Sequence, residues 1–255
     1  DLSTNTWTRE ESLTFLTRRI DDQDAEAAHT LADNLGDLPL AMEQAAAYID
    51  NCSLTIKAYL DLFAKHRKEL WADESPPANY AKDTISTTWT MAIKEVEKVA
   101  PAGADILTFI AFLAPDNIPR SFLDDISEYL PEEKAENFKN PIQLNKGIRA
   151  LNQFSLVEID DHSFSVHRLV QTVVRDQLSE EEVEKWLEGC LKVLVEDFPD
   201  DSFQNPSSWQ KCEELFPHVI SLVNKKNASN KIQLQYALLL DLAGNYVHGR
   251  ARYAE

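Results

Sequence analysis

The chain has 255 residues, 44% of them hydrophobic, with 43 acids against 25 bases and a net charge of −18. That length allows two or three small domains, and the apolar content excludes wholesale disorder. The acid excess runs along the whole length and repels polyanions, which argues against nucleic acid as a partner, and no apolar run approaches the ~20 residues of a membrane span.

The first segment reads as four short helices. Thr8 with Glu11 forms a capping box, and Leu13, Leu16 and Ile20 then recur at helical spacing. A second helix starts near Asp24 and stops at Gly36, a residue suited to a left-handed C-terminal cap. The third begins at Pro39, where a first-turn proline costs no hydrogen bond, and runs through an alanine-rich stretch to Ile49. Residues 55–70 make the fourth, with Ile56, Leu60 and Phe63 on one face. Residues 72–84 mix acids, serine, two prolines and asparagine and read as a linker.

Beyond it, helices are expected at 85–98, 104–114, 119–130 and 141–153. A hairpin follows. Residues 155–159 and 163–167 are short alternating strands around the polar turn Asp160-Asp161-His162. A helix over 168–178 completes the outline of a winged-helix domain, a helix-turn-helix variant. Ser179 and Glu182 form a second capping box, and helices are expected around the Trp186–Leu194 stripe and at 208–224 and 231–247. The predicted fold class is mainly α. It comprises a four-helix bundle over 1–71, the linker, a winged-helix domain with one β-hairpin over 85–178, and a C-terminal helical segment over 179–255.

The sequence contains no phosphate-loop, dinucleotide-binding, nucleophile-elbow or zinc-protease motif. Its histidines are scattered, and Cys52, Cys190 and Cys212 form neither a disulfide framework nor a zinc pattern, which fits a reducing, cytoplasmic setting. Two places stand out. Around Gly36-Asp37-Leu38-Pro39 a glycine cap and a first-turn proline make a sharp corner that could present an apolar face to a flat ligand. At His167 an imidazole sits at a helix N-terminus, where anions are favoured. On local pattern alone the corner is a plain helix–helix turn and the histidine a structural one.

These two places also carry a family resemblance. Leu35-Gly36-Asp37-Leu38-Pro39-Leu40-Ala41-Met42-Glu43-Gln44-Ala45 resembles the Gly-x-Pro motif of the NB-ARC nucleotide-binding module of STAND signalling ATPases, usually close to L-G-G-L-P-L-A-L-x-Q-A, so Asp37 and Met42 depart from it. His167-Arg168-Leu169-Val170-Gln171 is similar to the H-x-L-V-Q form of the winged-helix "MHD" motif in members that carry tetratricopeptide repeats. The run from Ile106 to Pro119 looks like the family's first winged-helix core segment, and Trp209, Cys212 and Pro217-His218 look like its helical lead-in to the repeats. Tyr246, Gly249, Arg252 and Tyr253 resemble a first repeat, with Ala251 where glycine is usual.

The resemblance implies a regulatory segment of a nucleotide switch in immunity or cell-death signalling. In such proteins the proline at Pro39, with Gly36 and Leu38 beside it, packs on adenine, and the histidine at His167 contacts the β-phosphate of ADP. Exchange for ATP then permits self-oligomerisation. The phosphate loop and the Mg²⁺-binding strand of that family are absent from this sequence, so no catalytic or metal residue is expected here, although the full-length protein would be an ATPase. Protein partners are expected through the repeat region, and neither nucleic acid nor membrane. The chain stops within its first repeat, which predicts that the natural protein continues. A winged-helix transcription regulator is the alternative, with a recognition helix at Pro141–Phe154 that offers only Lys146 and Arg149 to phosphates. A purely protein-binding helical scaffold is the third.

Overall fold

The computed structural model describes residues 6–70, 80–130, 132–223 and 232–253. Among them are thirteen α-helices and one small sheet. The chain divides into two compact units, the first made of 1–99 and 149–156 and the second of 100–148 and 157–255.

The first unit begins with α1 (Arg9–Arg19), α2 (Ala25–Leu35), α3 (Pro39–Asn51) and α4 (Ile56–Leu70). The local signals work as the sequence predicts. Thr8 Oγ1 accepts from Glu11 N while a Glu11 carboxylate oxygen accepts from Thr8 N, closing the capping box. Asp24 caps α2, whose other end is held by Gly36 at φ 63°. Asp22 accepts from Ile56 N at the start of α4. Buried alanines at 41, 45, 46 and 47 let α3 lie close to its neighbours, around a core of Leu16, Leu31, Leu35, Met42, Tyr59 and Phe63.

The expected linker is shorter than its composition suggests. The next helix, α5 (Tyr80–Val99), starts five residues before the predicted position and packs on α2, α3 and α4. The rest of that linker, residues 72–79, lies outside the described residues. Trp89, Ala92 and Val96 bury one face of α5 farther along the helix. The first unit also takes up the end of α9 (Pro141–Gln153) and the residues just after it. There Gln44 donates to Ser155 O, Asn51 Nδ2 donates to Gln153 O at 2.6 Å, and the Tyr48 and Phe154 rings meet edge-on at 5.9 Å.

The second unit opens with α6 (Pro101–Ile110), then β1 (Ile118–Pro119), α7 (Phe122–Asp125) and α8 (Glu132–Lys139), and continues into α9. Two predictions are corrected here. The helix expected over 119–130 is instead an edge strand, the short α7 and a 3-10 turn over Ile126–Glu128, and α8 was not foreseen. Pro119 fits an edge strand because it has no N–H to offer a neighbour on its outer side. The predicted hairpin is β2 (Glu158–Ile159) and β3 (Ser163–Ser165). β3 lies in the middle, antiparallel to both others, with Ile118 opposite Phe164 and Glu158 opposite Ser165. Asp160 accepts from His162 N and Ser163 N and from the Ser163 hydroxyl, which fixes the turn and holds its carboxyl below the usual range.

After the hairpin come α10 (Arg168–Asp176), α11 (Glu180–Asp197), α12 (Trp209–Val223) and α13 (Gln233–Tyr253). Ser179 and Glu182 close the second capping box. α11 and α12 pack on α13 around Trp186, Leu191, Leu194, Leu215 and Leu239. The fully buried His218 meets Phe122 edge-on, with ring centres 6.0 Å apart. Among the described residues no helix is long and apolar enough to cross a membrane.

Close backbone approach at α6 and α9 sets one packing limit. A Cβ on Gly147 would sit 2.6 Å from Gly103 N and 2.9 Å from Ala102 C, and backbone atoms cannot swing away as a flexible side chain can. Gly147→Ala is expected to destabilise the second unit by about 1–3 kcal/mol, read as a lower urea midpoint, although alanine is the better helix former.

Candidate functional site

The corner at 36–39 is built from backbone geometry first. Gly36 and Asp37 are both left-handed, at φ 63° and φ 53°, and Asp37 N reaches back to Ala32 O at 3.1 Å to close the end of α2. Leu38 then returns to extended backbone, buries its side chain and serves as N-cap of α3 without a side-chain bond. Pro39 occupies the first helical turn, where its missing N–H leaves nothing unsatisfied, and its ring is half-buried.

Asp37, one of the two departures from the family pattern, now has a physical role. A side chain at positive φ costs energy that glycine would not. Here the carboxylate takes a two-pronged contact from Arg9 on α1, with Nε to Oδ1 at 3.0 Å and Nη2 to Oδ2 at 2.8 Å. A further Arg9 nitrogen meets Asp33 at 2.6 Å, and Trp7 N donates to Asp37 O at 2.9 Å. The Arg9 guanidinium holds the Asp37 carboxyl below its ordinary range, and those carboxylates in turn raise Arg9. No local sequence signal links Arg9 to Asp37, 28 positions apart.

His167, in the second unit, is more than a neighbour of a helix N-terminus; it is the N-cap of α10. Its Nδ1 accepts from Leu169 N at 3.2 Å, which requires that nitrogen to be unprotonated. The neutral ring therefore carries its proton on Nε2. The side chain is exposed, yet partial desolvation first, and the Arg168 charge second, lower its pKa below the usual histidine value. At neutral pH such a ring meets an anion as an N–H donor and not as a cation.

Sequence reading missed the residues that fix α10. Gln171, buried, donates from Nε2 to Ile110 O at 3.0 Å and Leu113 O at 3.1 Å, and Arg175 donates to Ala111 O. Ser221 Oγ donates to Phe112 O and Leu113 O at 3.2 and 3.0 Å. His218 Nδ1 accepts from Ala114 N at 3.1 Å and Nε2 lies 3.2 Å from Asn117 O, and burial brings the ring's pKa down to about 4 against the Asn117 bond, which favours the charged form. Their spacing in the chain shows no pattern that would pair them. A cleft of about 1020 Å³ opens over this network, lined among others by Asn117, Arg168, Thr172, Arg175 and Ile220. Among the described residues no cluster of three or more His, Cys, Asp or Glu side chains could hold a metal ion.

Gly36, Leu38 and Pro39 thus share one corner of the first unit, and His167 stands at a helix start in the second. Comparison with known proteins adds a class and a relative. Residues 94–183 match a family described as a domain of unknown function (DUF7779). Over 240 residues, 89% of its length, the chain is 27% identical to a nucleotide-binding leucine-rich repeat (NLR)-like protein of Hyaloscypha variabilis, and it spans only 23% of that protein. No solved structure matches the chain.

Two predictions follow from this geometry. Asp37→Ala keeps the left-handed strain and removes the Arg9 contact, so it is expected to lower stability by about 1 kcal/mol in chemical unfolding. Asp37→Gly is expected to be close to neutral, because relief of strain offsets a partly screened ion pair. The second concerns pH. A histidine whose folded pKa is lowered stabilises the fold fully above its unfolded value near 6.5, and that stability is lost as pH falls through the folded value. Melting temperature should therefore drop as pH falls from 6.5 toward 4, with His218 contributing across that whole range and His167 adding to the loss below 6.5. His167→Asn, which keeps a capping side chain without a titrating ring, should lessen the drop without abolishing it.

Proposed function

We propose that this chain is a regulatory segment of an NB-ARC-like, STAND-type nucleotide-switch protein. In this reading the Gly36–Pro39 corner contributes to the adenine side and His167 donates to the β-phosphate of ADP. The observation that carries the reading is the similarity to an NLR-like protein over 89% of the chain, in which both candidate motifs fall at helix starts with accessible side chains. A nucleoside diphosphate suits the groups present. A half-buried proline ring gives a base an apolar surface, and a neutral imidazole N–H beside a helix N-terminus suits a phosphate oxygen. Bound nucleotide would supply the charge difference between two states, and the residues here would sense it without chemistry of their own. Mg²⁺ and the phosphate loop are assigned to a domain outside this sequence.

The segment around the sheet is read as a winged-helix domain and α11–α13 as a helical lead-in to tetratricopeptide repeats. Exchange of ADP for ATP is read as the trigger for self-oligomerisation and for effector action in a cytoplasmic immune or cell-death response. Transcriptional control is disfavoured by the net charge of −18 and by a recognition helix whose exposed bases are Lys146 and Arg149.

The test is a longer protein that includes the phosphate-binding domain. It is expected to retain ADP through purification, measured by chromatography after denaturation, and His167→Ala and Pro39→Ala should each weaken ADP retention by about tenfold, the effect of one lost hydrogen bond or ring contact of ~1.4 kcal/mol. The 255-residue chain alone is expected to show no ATP hydrolysis. Absence of ADP from the longer protein, unchanged by either substitution, would favour a purely protein-binding scaffold.

A further inference from the structure

We propose that the carbonyls of Ile110 to Leu113, at the end of α6 and in the turn after it, form a coupling joint, in which Gln171, Arg175 and Ser221 are positioning residues that tie the helix behind His167 to α12. The functional meaning rests on the nucleotide-switch reading above; the joint itself rests on geometry within the second unit.

A helix leaves its last four carbonyls without partners in its own ladder. At the end of α6 the amides of Ala111, Phe112 and Leu113 serve Leu107 O, Phe109 O and Ile110 O, while side chains of two other helices reach Ile110 O and the carbonyls of the turn that follows. Gln171 on α10 takes Ile110 O and Leu113 O, and Arg175, one turn on, takes Ala111 O. Ser221 on α12 has one hydroxyl hydrogen to share between Phe112 O and Leu113 O, and Leu113 O is the nearer. Leu113 O therefore faces donors from both helices, 3.1 Å from Gln171 Nε2 and 3.0 Å from Ser221 Oγ. His218, also on α12, anchors the rest of the turn through Ala114 N and Asn117 O, and Val166 N, next to His167, donates to Pro115 O at 2.8 Å.

A carbonyl in a largely buried turn loses a bond that is costly to replace when its donor leaves. Sliding α10 relative to α12 would strand acceptors on the same short turn, so the two helices move together or not at all. α10 is only nine residues long and is capped by His167, whose carbonyl accepts from Gln171 N at 3.1 Å. A displacement of the histidine by its ligand is then delivered to α12, and through the α12–α13 packing to the C-terminal helices. A set of bonds that merely stabilised each helix separately would not need one carbonyl shared between them.

The experiment is amide hydrogen exchange by NMR on the 255-residue chain, with Leu169 N–H, the amide bonded to His167 Nδ1, as reporter. Ser221→Ala on α12 is expected to speed Leu169 exchange about fivefold, and Ser221→Thr, which keeps the hydroxyl, should restore it. Coupling is reciprocal, so Gln171→Met on α10 should speed exchange at residues 221–223 by a similar factor. Amides of α1 and α2, in the other unit, serve as the reference. Unchanged Leu169 exchange in Ser221→Ala, with faster exchange confined to α12, would overturn the proposal, as would equal acceleration across every helix of the second unit. ADP retention in the longer protein reads the other question separately. If Leu169 responds and no ADP is retained, the joint stands and the nucleotide reading falls. If ADP is retained and Leu169 does not respond, the reverse holds.

Discussion

The second unit is organised by the need to satisfy the carbonyls at the end of α6. The residues Ile110 to Leu113 end the helix and turn away from it, and the turn is buried at Ala111, Phe112, Leu113 and Ala114. Side chains from α10 and α12 supply its carbonyls with donors. Gln171, Arg175 and Ser221 therefore converge on one turn, and His218 holds the same segment through Ala114 N and Asn117 O. The sheet joins the same arrangement, because the strand that precedes His167 continues into a bond with Pro115 O.

Both candidate nucleotide contacts illustrate how a helix start can serve structure and ligand together. Pro39 fits the first turn because it has no N–H to lose, and this leaves its ring half-buried at a fixed place. His167 fits as a cap because one ring nitrogen accepts the Leu169 amide, and this aims the proton of the other nitrogen elsewhere. In each case the local requirement of the helix fixes the side chain, so recognition would draw on groups already ordered and would spend little entropy on ordering them. Asp37 shows the complementary case. It occupies a backbone conformation better suited to glycine and is held there by Arg9 from another helix.

The similarity to a nucleotide-binding leucine-rich repeat-like protein, at 27% identity and over 23% of that protein, relates the chain to NLR-like proteins and no further. The net charge of −18 gives the chain no overall basic field. A polyanion would need one.

Much of the helical layout was written locally. The capping boxes at Thr8 and Ser179, the glycine cap at Gly36 and the first-turn proline at Pro39 act over three or four residues, and the structure uses each of them as the spacing implies. The hairpin around Asp160 was legible for the same reason. The edge strand at Ile118 was not, because a two-residue strand exists only when a distant β3 offers it partners. Nor was the early start of α5 at Tyr80, because the sequence there is polar and reads as a linker. The candidate site divides in the same way. Gly36, Leu38, Pro39 and His167 could be singled out from short motifs, whereas Arg9, Arg175, His218 and Ser221 acquire roles only across 28 to more than 100 positions of chain. The sequence by itself determined where helices begin and end, since a cap needs only its own neighbours. The tertiary structure alone decided which distant donors meet the carbonyls those helix ends leave open, because burial makes that pairing compulsory and no local pattern records it.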